Sequence, residues 1–255
     1  MQTQIIDTHA HYDHKQFNPD RAELLSQMAA GGISNIINVG CSLQSSRASI
    51  ALAEAHPFIY ATVGVHPHDA KSLSEKSLNT LERLCAHDKV VAYGEIGLDF
   101  FHNFSPPDTQ RHWFKRQLEL AEALSIPVVI HSRDAAEETF EMVEKSAIRR
   151  GVVHSFSGDA VLARAYVGLG FHIGIGGVIT FDKTGRLQDA AAAVPLSKIL
   201  LETDAPYLTP APFRRKRNNS SYLTYVAAEI GKIKAVPCET VCIQTTANAR
   251  ELFGI

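Results

Sequence analysis

Eight short runs of apolar, often β-branched residues, most of them separated by helix-patterned stretches, constrain this chain more than any other feature. They cover residues 5–7, 34–40, 59–65, 90–97, 127–132, 151–156, 171–177 and 198–204. Most are continuous rather than alternating, which suits parallel strands buried on both faces. Strand and helix in alternation, eight times over, predict a (β/α)₈ TIM-type barrel forming one domain over residues 1–255. The competing arrangement is an open doubly wound sheet. That fold announces itself by a glycine-rich phosphate turn after an early strand. Here the first strand runs into D-T-H-A-H, with no G-x-G-x-x-G behind it.

Local signals support the helices. Asp20 with Glu23 three residues on reads as a capping box, and Gly31 and Gly32 as the stop of the same helix. Between Asp108 and Ser125, the residues Trp113, Gln117, Leu118, Ala121 and Leu124 share one broad face. Two more helices are expected near 220–235 and 238–252. Nothing separates the chain into halves, since no Gly/Ser or Pro run interrupts it.

In this fold, chemistry sits at the C-terminal ends of the strands. Those ends are rich in metal-binding side chains. Strand one ends in Asp7, His9 and His11, and residues two apart in extended chain point the same way. Strand three runs into His66 and His68, strand four carries Glu95, and strands five, six and eight end at His131, His154 and Asp204. Scattered in sequence, they are gathered by a barrel around one mouth. Imidazole and carboxylate together suit Zn²⁺, Mn²⁺ or Mg²⁺.

The segments IIDTHAHYDH, GVHPHDA, VAYGEIGLDF, PVVIHSRDA, GVVHSFSG and LLETDAPYLTP occur in that order. In this order they resemble the motifs of TatD-type metal-dependent deoxyribonucleases, part of the wider amidohydrolase-like group of barrels. The resemblance runs from Ile5 to the terminal TANARELFGI. It implies that His9 and His11 bind one metal, that Glu95 bridges to a second held by His131 and His154, and that Asp204 binds metal and accepts a proton. It also places His66 near a substrate phosphate. Two divalent ions (Zn, Mg or Mn) and a DNA substrate follow from it, single-stranded or with free ends, cut by a 3′–5′ exonuclease.

A phosphodiester is a poor electrophile and neutral water a poor nucleophile. A divalent ion eases both, lowering the pKa of bound water from 15.7 to roughly 7 and neutralising a phosphate oxygen. Arg133, two residues past His131, and Arg217 in the run Arg214–Arg217 are expected to hold phosphates. The loop departs from the family's R-G-K-R-N-E-P: Arg215 stands for the glycine, and Asn219 and Ser220 for Glu-Pro. Asp7 is expected to accept a hydrogen bond from a neighbouring ligand or loop. His68, Asp99, His14 and Asp182 have weaker claims, and His56, His87 and His112 read as surface residues.

The net charge of −2 excludes a globally basic nucleic-acid binder, so any such contact is local. Cys41, Cys85, Cys238 and Cys242 show no zinc-ribbon spacing and read as reduced, packed thiols. With neither an apolar span of membrane length nor a leader pattern, the expectation is a cytoplasmic protein without membrane contact or obligate protein partner. The same ligands also suit a metal-dependent amidohydrolase or esterase acting on a small molecule, or a non-catalytic metal-binding scaffold.

Overall fold

The computed structural model describes residues 4–255; the first three residues, where the reading of the N-terminus begins, lie outside the described part. Eight parallel strands follow one another around a barrel in chain order. They are β1 (Ile5–Ala10), β2 (Ile33–Asn38), β3 (Ile59–Val63), β4 (Val90–Asp99), β5 (Val128–Arg133), β6 (Gly151–Val153), β7 (His172–Ile175) and β8 (Ile199–Leu201). Between them run α1 (Arg21–Ala30), α2 (Leu43–Ala55), α3 (Glu75–Cys85), α4 (Pro107–Leu124), α5 (Ala136–Lys145), α6 (Ala160–Gly168) and α7 (Arg186–Ala193), and α8 (Leu223–Lys234) and α9 (Cys238–Phe253) end the chain. The (β/α)₈ expectation is met, strand by strand.

Every residue of β1 and β4 is buried, as continuous apolar runs require. One face of the strands packs under the helices. The other fills the barrel with Ile6, Ile37, Val91, Val129, Val152 and Leu200, and Leu252 and Phe253 of α9 close that cluster from below. Alternation along a strand then aims the next inward position at the mouth. Val129 is followed in this way by His131, Val152 by His154, and Leu200 by Glu202.

The seam between β1 and β8 is closed mainly by groups beyond the last strand's ladder. His11 N–H donates to Ala205 O at 2.8 Å and Asp204 N–H to His9 O at 2.9 Å. Thr8 Oγ1 donates to Leu201 O at 3.0 Å. Asp7 clamps the seam: its carboxylate accepts from Thr203 N–H (3.0 Å), Thr203 Oγ1 (2.7 Å) and Ser220 Oγ (2.6 Å). Burial nevertheless pushes the Asp7 carboxyl up to about 6.

Three local expectations are corrected. Strands six and eight stop at Val153 and Leu201, short of 156 and 204, because the following residues turn toward the axis; Ser155 and Asp204 have φ of 44° and 56°. Asp20 does precede α1 but makes no side-chain cap, since its carboxylate is taken by Arg217. The buried face of α4 centres on Gln110, Phe114, Gln117, Leu118 and Ala121, leaving Trp113 and Leu124 half-buried at its edges.

Candidate metal centre at the barrel mouth

Glu95, buried on β4, is the hub of the mouth. Its two carboxylate oxygens face two different sets of side chains. Oε1 lies 2.8 Å from His131 Nδ1, 3.0 Å from His154 Nε2 and 3.6 Å from His66 Nε2. Oε2 lies 3.4 Å from His9 Nε2 and 4.0 Å from His11 Nε2. Asp204 Oδ1 completes the second set, 3.3 Å from His11 Nε2 and 3.8 Å from His9 Nε2. Seven residues singled out in the sequence thus meet at one place. His9, His11 and Glu95 form one group that could hold a cation, and His66, Glu95 and His131 another.

Second partners preset which nitrogen of His11 and of His131 is free. His11 Nδ1 lies 3.1 Å from Val39 O, which can only accept, so Nδ1 carries the hydrogen and Nε2 is left with its lone pair. His131 Nε2 faces Asp99 Oδ2 at 3.4 Å, freeing Nδ1 toward Glu95. His154 Nδ1 lies 3.4 Å from Glu202 Oε1, with Nε2 turned to Glu95. His9 Nε2 and His11 Nε2 are 3.2 Å apart, and the His9 and His154 rings stack at 3.7 Å. Lone pairs converging so closely on carboxylates, with no lysine or arginine paired to Glu95 or Asp204 among the described residues, fit a divalent cation.

Without a cation, the imidazoles and carboxylates of the cluster balance each other's charge. Burial opposes ionisation of Glu95, but His154, His66, His9 and the close approach of His131 hold its carboxyl well below the ordinary range. Burial opposes charge on His154 too, yet Glu95 and Glu202 raise it well above the usual value. His66 goes the other way, lowered by burial and by His131. Its Nδ1 accepts His68 N–H at 3.1 Å, so neutral His66 carries its hydrogen on Nε2.

Two groups escaped the sequence reading. Glu202 is buried two residues before Asp204 in L-L-E-T-D, on the inward face of the strand, and that spacing was the available signal. Gly174 on β7 makes room for it, since a Cβ there would stand 2.2 Å from Glu202 Oε2. Cys41, expected to be merely packed, lines the cavity with its Sγ 3.5 Å from Glu95 Oε2. Asp99 proves central: its Oδ2 accepts from His68 Nε2 (2.8 Å), His102 Nδ1 (3.2 Å) and His131 Nε2.

The predicted arginines part company. Arg133 stands exposed at the rim of the cavity. Arg217, expected on phosphate, instead forms a two-pronged pair with Asp20 at 2.8 and 2.6 Å, donates to Gln16 O at 2.7 Å and covers the Phe17 ring. Arg215 has φ of 73°, the left-handed region that a glycine occupies without strain. Asn218 Nδ2 donates to Thr203 O and Tyr207 O, and Ser220 reaches Asp7, so the altered loop is tied to the seam. Asp182 caps the start of α7 and His14 touches Tyr207, both outside the cluster.

A barrel with histidines and carboxylates at the strand ends defines a metal-dependent hydrolase. The model of the TatD related DNase family matches residues 6–254, and the chain belongs to that family. It is 37% identical over 253 residues to YabD of Bacillus subtilis, described as an uncharacterized metal-dependent hydrolase, covering 98% of this chain and 99% of that protein. It is 33% identical to the 3′-5′ ssDNA/RNA exonuclease TatD of Salmonella typhimurium, over 98% and 99% of the two chains. The crystal structure of YJJV, a TatD homolog from Escherichia coli, superposes with a TM-score of 0.94 at 33% identity over all of both chains. The protein is thus a metal-dependent hydrolase of the nuclease kind. Among the described residues, no helix is long and apolar enough to cross a membrane.

Proposed function

We propose that this protein cuts DNA phosphodiester bonds as a 3′–5′ exonuclease using two divalent ions, Zn, Mg or Mn. The observation that carries the reading is Glu95 offering one oxygen to each of two ligand sets. His9, His11 and Asp204 with Oε2 would hold one ion, and His131 and His154 with Oε1 the other. When bound, the ions supply an acidified water and neutralise charge on the phosphate.

The chain's own groups do the rest. Asp204, held ionised despite burial by the close approach of His11 and the charge of nearby imidazoles, orients the attacking water and accepts its proton. Neutral His66 donates Nε2–H to a non-bridging phosphate oxygen. Arg133 meets phosphate at the rim. Arg217 takes a different part from the one its sequence suggested: paired with Asp20, it shapes the basic loop and leaves Arg214, Arg215 and Lys216 to face solvent. A cavity of about 710 Å³ leaves room for a terminal nucleotide. Four free cysteines suit work in the reducing cytoplasm.

The test is digestion of single- and double-stranded oligonucleotides labelled at either end, with Mg²⁺ or Mn²⁺. Label release should start at the 3′ end, and His131→Ala and Asp204→Ala should each lose about 10²-fold or more in rate. Wild-type rates in both variants would overturn the site.

A further inference from the structure

Six large apolar side chains are markedly exposed among the described residues, and three of them stand around the mouth: Phe101, Phe104 and Tyr207. The first two project from the β4–α4 loop, 57% and 58% exposed. Tyr207 follows β8, four strands away and so across the barrel, where it lines the cavity. Single exposed rings are ordinary, but two on one loop beside a charged cavity make a patch of the kind that marks a binding surface.

The loop is held, so the rings are presented rather than left loose. Asp99 Oδ1 accepts the N–H groups of Phe101 (3.0 Å) and His102 (2.9 Å). Asn103 Nδ2 donates to Phe100 O at 2.9 Å, and Lys71 Nζ to Phe104 O at 3.0 Å. The Phe104 and His102 rings lie nearly parallel, 27° apart with centroids at 5.3 Å. The Arg133 guanidinium covers one face of Phe101, at 4.2 Å from the centroid. Two exposed cations, Arg133 and Lys71, therefore flank two exposed aromatic faces.

We propose that Phe101 and Phe104 form a stacking platform for unpaired nucleobases next to the bond being cut. Rings alternating with cations match a single strand, which carries flat apolar bases and anionic phosphates in alternation. A duplex offers such a face only at its terminal pair. This inference rests on the nuclease reading and adds to it how the strand is gripped: by its bases on the β4 side, whatever their identity.

The experiment uses the whole protein in EDTA, so that nothing is cut. The probes are a short single-stranded oligodeoxynucleotide ending in 2-aminopurine and one of equal length whose last residues are abasic spacers. Wild type should bind the base-bearing strand about tenfold more tightly and alter its 2-aminopurine fluorescence. The double variant Phe101→Leu/Phe104→Leu keeps apolar bulk and should bind both strands alike, with the abasic affinity unchanged. Each single leucine variant should show part of the loss, and serves if the double variant melts early. Equal binding of the two strands by wild type overturns the platform, as does full base preference in the double variant. So does a wild-type dimer in sedimentation that the leucines dissolve, since a second copy would then be the occupant. The nuclease reading is judged separately: absence of cleavage of either strand by wild type with Mn²⁺ overturns that reading without altering the binding comparison.

Discussion

His154 at the mouth and His172 at the base of the barrel are 5% and 6% exposed, yet the barrel treats them in opposite ways. His154 faces Glu95 and Glu202, which raise it well above the ordinary imidazole value against burial. His172 opens β7 at the other end, where burial and the charge of Lys198 push it down to about 4. The same side chain at the same depth is drawn toward its charged form at one end and kept neutral at the other. The difference lies in the carboxylates: five imidazoles surround Glu95, while no carboxylate is paired with His172 among the described residues. Strain divides the ends as well. Asp134, Ser155, Asp204, Leu208 and Arg215 have positive φ in loops at the mouth, whereas Ser125 and Ala235 do so only as helix C-caps.

The largest effect that sharpens this contrast concerns acid stability. The folded state prefers neutral His172, so between its ordinary 6.5 and about 4 the unfolded chain binds a proton that the folded chain does not. Stability is then full above pH 6.5 and declines as pH falls toward 4, by about 3 kcal/mol from this one residue. In His172→Gln that component of the pH slope should vanish in urea titrations run at pH 7 and pH 4.5. An unchanged slope would mean that the base of the barrel is not the neutral site described.

A smaller effect is expected at the mouth. Glu202→Gln keeps the shape that Gly174 accommodates but removes the charge facing His154 Nδ1. Metal affinity should fall about 10–100-fold, read by equilibrium dialysis against Zn²⁺ or Mn²⁺. Unaltered affinity would show that Glu202 serves only Ser155 N–H, which it also accepts. The smallest effect belongs to Arg215→Gly. Relief of the left-handed strain, partly offset by the freer unfolded chain, should raise stability by about 0.5–1 kcal/mol in thermal melts. A loss would mean that the arginine side chain contributes more than its backbone costs.

The strands were legible because burial on both faces leaves an uninterrupted apolar run. The cluster of candidate residues was legible because strand ends in a barrel share one destination. What escaped was set by partners distant in sequence. Asp20 has the spacing of a capping box, but Arg217, 197 residues away, claims its carboxylate. Arg217 then looks like a phosphate ligand until that pair is known. Glu202 lay open to the alternation argument, two residues from Asp204, and was hidden only by reading the strand end as a single functional residue. The exposure of Phe101 and Phe104 had no signal, because a phenylalanine in a loop reads the same whether its ring faces in or out.

One carboxylate standing between two clusters has a thermodynamic consequence. Whatever binds beside His9 and His11 draws on the same charge as whatever binds beside His131 and His154. In the proposed two-ion centre the occupancies are therefore linked, and the linkage is reciprocal: each changes the affinity of the other by the same factor. A titration of this protein with metal should trace the behaviour of a coupled pair rather than the sum of two independent sites, and a substitution on one side of Glu95 should be felt as a changed affinity on the other.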